Sequence, residues 1–241
     1  MKVCVLGGGV LADTVRAVLD ERSDITPTDL AHTDIVWCCY DTPIRADGTG
    51  NYEQVLMAVR NALHDAPEGC LVVLSSQLPV GTCAQLEADH PRQRFAVVPE
   101  NIRVAHARDD FVNQDRIVIG VRSMRDMITL RKILRPYTKQ RRVMTPESAE
   151  MSKHALNAFL ALSVAYANEL RDLCERYGAN ADDVADALKT DRRIGPLAYL
   201  SPGPPYSTGH LEREVSLLIK LGGGPVIQAV QQSNDNQKER L

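Results

Sequence analysis

The chain opens Lys2-Val-Cys-Val-Leu-Gly7-Gly-Gly9-Val-Leu-Ala12, and few folds accept such a beginning. A short apolar strand runs straight into glycines, and a helix-compatible segment follows at once. Strand, tight glycine turn and helix start bring outward-pointing backbone N–H groups and the positive end of a helix dipole to one point, which makes an anion site. Gly7 is read as making the turn, Gly9 as letting a pyrophosphate approach, and Ala12 as permitting close packing of helix on strand. The pattern describes the first turn of a dinucleotide-binding α/β fold, provided the rest of the chain alternates strands and helices.

It does so through the first part of its length. Strands are read at 2–6, Asp34–Tyr40, Cys70–Ser75, Arg94–Val98 and Ile117–Gly120, with helices at about 10–20, Tyr52–His64 and up to Asp89. A weak strand around Asp24-Ile-Thr and a brief helical turn at Asp29–His32 fill the gap after the first helix. The fold class expected is α/β: a Rossmann-like parallel sheet over residues 1–146, followed by an all-helical second domain over 147–241. The stretch from Glu147 to Tyr177 holds no Gly or Pro, and as one helix it exceeds about 40 Å. Such a helix connects two parts or forms a subunit interface, so a homodimer through it is expected. Further helices are read at Ala181–Thr190 and about Glu212–Leu221. One more helical turn follows the glycines at 222–224, and a polar tail from Gln231 to Arg240 is expected to fray.

Composition excludes several classes. Net charge is -3 and aromatics are 5%, against the basic surplus and interleaved aromatics of a nucleic-acid binder. No run of 18 apolar residues offers a membrane span. The six cysteines (4, 38, 39, 70, 83 and 174) include four in or beside apolar strands, where a thiol behaves as a small hydrophobe. With no CxxC pair and no leader peptide read at the start, a reducing cytoplasmic setting is expected. No histidine pair has metal-ligand spacing, so no metal is expected.

In a parallel sheet ligands bind at the carboxyl ends of the strands. Gly7, Gly9, Val10 and Leu11 of the first turn are therefore candidate cofactor contacts, as are Tyr40, Thr42, Pro43 and Ser75 of later strand ends. Asp29 lies where a carboxylate would hold the adenosine ribose, and it is equally well placed to cap the turn after Thr28. Lys153 and Asn157, four apart, share a helix face. With Glu100 and Ser76 they offer a cation, an amide, a carboxylate and a hydroxyl. A lysine stabilises an oxygen that gains negative charge, and a carboxylate or a water it holds accepts a proton. His210, with an ordinary pKa near 6.5, is a candidate proton carrier, and Glu214, one turn further on, is a candidate to orient it.

These pieces, in this order, resemble the nucleotide-sugar dehydrogenases that oxidise UDP-glucose or GDP-mannose to the uronic acid. The likeness runs through Val5–Val10, Tyr40-Asp-Thr-Pro43 with Asp47-Gly48, Ser75–Thr82, Pro99–Arg103, Asp110-Phe111 and Asp115–Gly120. It continues through Ser148–Lys153 with Asn157–Leu160, Asn168-Glu169, Asp191–Gly195 and Gly203–Tyr206. The resemblance implies that Lys153 and Asn157 assist at the substrate oxygen and a water. It likewise gives Glu100 and Ser76 the places of the family's glutamate and threonine, and has Arg193 and Tyr206 help hold the substrate. It also implies a 6-phosphogluconate dehydrogenase-like helical domain in which the long helix is the dimer core. The departures point elsewhere. His210 stands where relatives carry the nucleophilic cysteine, Glu214 stands where they carry an aspartate, and a short form without the third domain that grips the nucleotide is expected. Without the thiol there is no thiohemiacetal or thioester, so four-electron oxidation to an acid is not expected.

The expectation is a two-electron NAD-dependent dehydrogenase or reductase, with NADP left open, acting on a small molecule such as a sugar or nucleotide derivative. The alternatives are a non-redox epimerase, isomerase or lyase on the same scaffold, or a non-catalytic partner protein.

Overall fold

Two strands with every side chain buried set the frame: β3 (Ile35–Cys38) and β4 (Leu71–Leu74). Runs of apolar residues with no polar alternation suit a strand covered on both faces. A computed structural model of the protein describes residues 1–45, 49–100, 102–206 and 209–240. Among the described residues, β1 (Lys2–Leu6), β2 (Thr26–Pro27), β5 (Arg94–Val97), β6 (Ile117–Val121) and β7 (Arg141–Met144) complete one sheet of order β2-β1-β3-β4-β5-β6-β7.

The chain divides into two compact units, residues 1–43 with 51–153 and residues 44–50 with 154–241. In the first, α1 (Val10–Asp20), α2 (Tyr52–Asp65), α3 (Thr82–Asp89), α4 (Ala107–Val112) and α5 (Met124–Leu134) cover the sheet. The helix α1 buries Ala12, Val15, Val18 and Leu19, one face at helical spacing. Trp37, Phe111 and Leu130 belong to one core cluster, and Leu86, Phe95 and Val72 to another.

The sheet is mostly parallel, as expected, but β5 and β6 run antiparallel. The helix available to bring the chain back between them, α4, has six residues and spans about 9 Å, too little to return a chain along a strand. Neither α4, α5 nor β7 is read from the sequence. The edge strand β7, Arg141-Arg-Val-Met144, is charged and partly exposed, the composition that blunts a sheet edge and hides its strand character.

The long helix α6 spans Pro146–Tyr177 and serves both units. In the second unit it is joined by α7 (Ala181–Thr190), α8 (His210–Lys220) and α9 (Pro225–Lys238). Asn180 caps α7, accepting from the N–H groups of Asp182 and Asp183. Ala161, Ala165, Tyr206, Val215 and Val230 form the core here.

The tail corrects the sequence reading. Instead of a single turn and a frayed end, α9 is a 14-residue helix whose polar residues Asn234 and Gln237 are buried. Asn234 Oδ1 accepts from the Tyr206 N–H at 2.9 Å, and its Nδ2 donates to the Tyr206 carbonyl at 2.8 Å. One amide thus satisfies both backbone groups of a residue in a Pro/Gly loop that has no ladder partner. Asn234→Ala strands both groups in a buried site, and urea titration should record a loss of about 2–4 kcal/mol.

Candidate functional site

The parallel register brings four strand ends to one level: Leu6 pairs with Cys38, Cys38 with Leu74 and Leu74 with Val97. The loops leaving those ends form one rim of the first unit. At β1 the rim is the glycine turn. Gly7 and Gly9 have φ of +114° and +86°, and a Cβ on Gly7 would lie 2.4 Å from the Cys39 carbonyl oxygen, so only glycine is accommodated. Gly9 begins α1 with no side-chain cap, which leaves the first helical N–H groups to an outside acceptor. Arg16 braces the turn from beneath, donating to the carbonyls of Gly7 (2.6 Å) and Val5 (3.2 Å). Val10 is exposed and Leu11 half-buried. This cradle of positive-φ glycines at an uncapped helix start fits a dinucleotide pyrophosphate.

The other expected cofactor contacts, and the candidate catalytic Ser76, divide by what their polar groups already do. Ser75 Oγ accepts from Trp37 Nε1 (2.8 Å) and donates to the Val98 carbonyl (2.6 Å). Ser76 Oγ accepts from the Tyr40 N–H (2.8 Å) and donates to the Cys38 carbonyl (3.3 Å). Thr42 Oγ1 donates to the Gln77 carbonyl at 2.7 Å. These hydroxyls tie neighbouring strand ends together, and each gives its one proton to a backbone carbonyl. Tyr40 is half-buried, and burial pushes its hydroxyl up to about 12; Pro43 is exposed. Asp29 takes the capping role, accepting from the His32 N–H at 3.1 Å and from the His32 ring at 2.7 Å.

Glu100, three residues beyond β5, is buried, and neither carboxylate oxygen has a well-formed hydrogen bond among the described residues. Burial pushes it up to about 8 despite the opposing pull of Lys153 and of the Gln114 amide. The Lys153 stretch of α6 is fixed by Glu150, one turn earlier. Glu150 is itself buried and accepts from the N–H groups of Gly81 (2.6 Å) and Cys83 (2.8 Å) at the start of α3. The sequence reading does not single out Glu150, although a carboxylate one turn before Lys153 is the available signal.

In the second unit Asn157 is buried on α6. Glu214 is fully buried; its Oε2 bonds His154 Nδ1, and its Oε1 accepts from Arg213 Nε at 3.3 Å. These two partners are absent from the sequence reading. Arg213 and Glu214 are adjacent in sequence, and only the fold brings His154 to them. The partner expected for Glu214 was His210, which begins α8, but its side chain lies outside the described residues, as do Asp47, Gly48 and Asn101 of the quoted motifs. Arg193 is exposed and gripped by Asp191 at 2.7 and 3.0 Å. Tyr206 is buried, with its hydroxyl donating to the Val230 carbonyl at 3.2 Å. All six cysteines are free and buried. Among the described residues no helix is long and apolar enough to cross a membrane.

Fold and rim together define a dinucleotide-binding α/β protein with an appended helical unit. Residues 8–138 match the model of the UDP-glucose/GDP-mannose dehydrogenase family's NAD binding domain, and residues 147–236 match that of its central domain. The chain belongs to this family. It is 34% identical over 238 residues to the UDP-glucose 6-dehydrogenase of Rhizobium meliloti, covering 91% of this chain and 54% of that one. It is 31% identical over 224 residues to the UDP-glucose 6-dehydrogenase YwqF of Bacillus subtilis, covering 88% and 51%. The chain thus spans about half the length of these curated relatives. Among solved structures, a UDP-glucose dehydrogenase from Pyrobaculum islandicum superposes with a TM-score of 0.82 at 23% identity, over 98% of this chain and 68% of that one. A 3-hydroxyisobutyrate dehydrogenase from Mycobacterium tuberculosis gives 0.75 at 16%, over 98% and 92%.

The proton affinity of Glu100 predicts a pH dependence of stability. Its folded pKa of about 8 lies above the ordinary value of 4.5, so the fold favours the protonated form. That stability is present below about 4.5 and is lost as pH rises toward 8. Thermal melts at pH 5 and pH 8 should therefore differ less for Glu100→Gln than for the parent protein.

Proposed function

We propose that the protein is an NAD-dependent two-electron oxidoreductase that converts an alcohol and its carbonyl. The observation that carries this reading is Glu100, a buried carboxylate with raised proton affinity that feels the Lys153 ammonium. It stands on the same rim as the glycine turn of a matched NAD binding domain. When bound at Gly7–Gly9, NAD supplies the two-electron acceptor. Lys153 offers its ammonium to the substrate oxygen and stabilises the negative charge that develops there. Glu100 takes the hydroxyl proton, directly or through a water, with a proton affinity near the working pH. Ser76, bonded to Tyr40 and Cys38, keeps two strand ends in place.

Residues 1–146 serve as the dinucleotide-binding domain and residues 147–241 as the substrate and dimerisation domain. In the correspondence with the family, Asn157 holds a water, and Arg193 recognises the charged part of a sugar or nucleotide derivative. Tyr206, its hydroxyl engaged by Val230, shapes the binding loop. His210 supplies an imidazole where a thiol is the family's nucleophile, and Glu214 anchors the helix that carries it. Burial raises the thiols of Cys4, Cys38, Cys39, Cys70 and Cys83, Cys38 to about 12. None is poised as a thiolate, so the oxidation ends at the carbonyl.

Turnover with a panel of alcohols and sugar nucleotides, followed at the NADH absorbance band, tests the reading. One NADH per substrate consumed is expected, and Lys153→Ala should lower kcat by about 10²-fold or more. Two NADH per substrate, or an unaffected Lys153→Ala enzyme, would remove it. A dimer through α6 is supported by Phe159, Leu162, Tyr166, Leu173 and Tyr177, apolar or aromatic residues that stay exposed along that helix. Sedimentation should give a dimer for the parent protein and a monomer for Phe159→Asp.

A further inference from the structure

The space left by the missing side chain of Gly9 is taken by a neighbouring carboxylate. A Cβ placed on Gly9 would lie 1.9 Å from Asp41 Oδ2 and 3.3 Å from its Oδ1. The Asp41 carboxylate therefore sits directly against the residue that opens α1. Among the described residues no N–H group at the start of α1 donates to a side chain of its own N-cap, since that residue is Gly9, and a negative charge stands beside that helix start.

The carboxylate is held there by its backbone. On one side the Tyr40 N–H is bonded to Ser76 Oγ at 2.8 Å, and on the other Thr42 Oγ1 is bonded to the Gln77 carbonyl at 2.7 Å. Pro43 follows and restricts the chain further. Side-chain rotation of Asp41 is the motion left to clear the turn. The strand register puts this loop beside the glycine turn, since Leu6 and Cys38 are paired neighbours. Arg16, which braces the same glycine turn, is committed to Asp13 and to the carbonyls of Val5 and Gly7.

We propose that Asp41 is an affinity-determining residue of the cofactor site. Its charge opposes the pyrophosphate of a dinucleotide at Gly9, so binding requires the carboxylate to swing away and is weakened accordingly. The proposal rests on the reading that this turn receives NAD, and the experiment separates the two.

NADH fluorescence titration is carried out on the full chain as parent protein, Asp41→Asn and Asp41→Glu, each checked by thermal melting. Asn keeps the shape and removes the charge, and should bind NADH about tenfold more tightly at low salt. Glu keeps the charge and should bind no more tightly than the parent. Screening shortens the reach of an exposed charge, so the gap between parent and Asp41→Asn should narrow in about 0.5 M NaCl. Adenosine, which has no phosphate, should bind parent and Asp41→Asn alike. Equal NADH affinity for parent and Asp41→Asn overturns the proposal and leaves the NAD reading standing. A gap that salt does not narrow, or one that adenosine shares, also overturns it, because a change of shape or packing would then account for the gain. Failure of all three proteins to bind NADH removes both the proposal and the reading beneath it.

Discussion

The first unit depends on one constraint, the common level at which β1, β3, β4 and β5 end. Parallel pairing in register delivers Leu6, Cys38, Leu74 and Val97 to the same height. The next few residues of each strand must then share one rim: the glycines after Leu6, the Tyr40–Pro43 segment, Ser75 and Ser76, and Glu100. A slip of one residue in any pair would exchange the faces of a strand. In β3 and β4, buried on both faces, the penalty would fall on the strand ends. The Trp37 indole would lose Ser75, and the Tyr40 N–H would lose Ser76. The serines therefore lock the register as well as lining the rim.

Much of this was legible because it rests on local rules. The turn at Gly7–Gly9, the buried runs of β3 and β4, and the uninterrupted α6 are patterns of adjacent residues. What escaped is what depends on partners far apart in sequence. α9 is written in Gln, Ser and Asn, the composition of a frayed end, and becomes a helix that buries Asn234 because Tyr206 needs two hydrogen bonds. Burial of Asn234 and Gln237 has no periodic signature. The Glu214–His154–Arg213 cluster is another such case. Residue type suggested chemistry for Glu214, while its burial and its bonds make it a fixture of the helical unit.

The rim also shows how polar residues of similar type come to have different roles. Ser75, Ser76 and Thr42 spend their protons on carbonyls, and Glu150 spends both oxygens on the start of α3. Glu100 spends neither. A buried carboxylate without such bonds costs free energy that packing elsewhere must offset, and its proton affinity rises as a result. Glu150 and Glu100 are both buried glutamates, but Glu150 anchors the start of α3 through two backbone N–H groups, whereas burial raises the proton affinity of Glu100.

The six buried thiols have a practical consequence. They are distributed over β1, β3 and its end, the approach to β4, the start of α3 and the last third of α6. Reaction of any of them with an alkylating reagent has to wait for a local opening. The labelling rate of each cysteine therefore measures how often its own segment breathes. The protein carries its own set of opening probes, five in the sheet-bearing unit and one in the helical unit, with no substitution needed to install them.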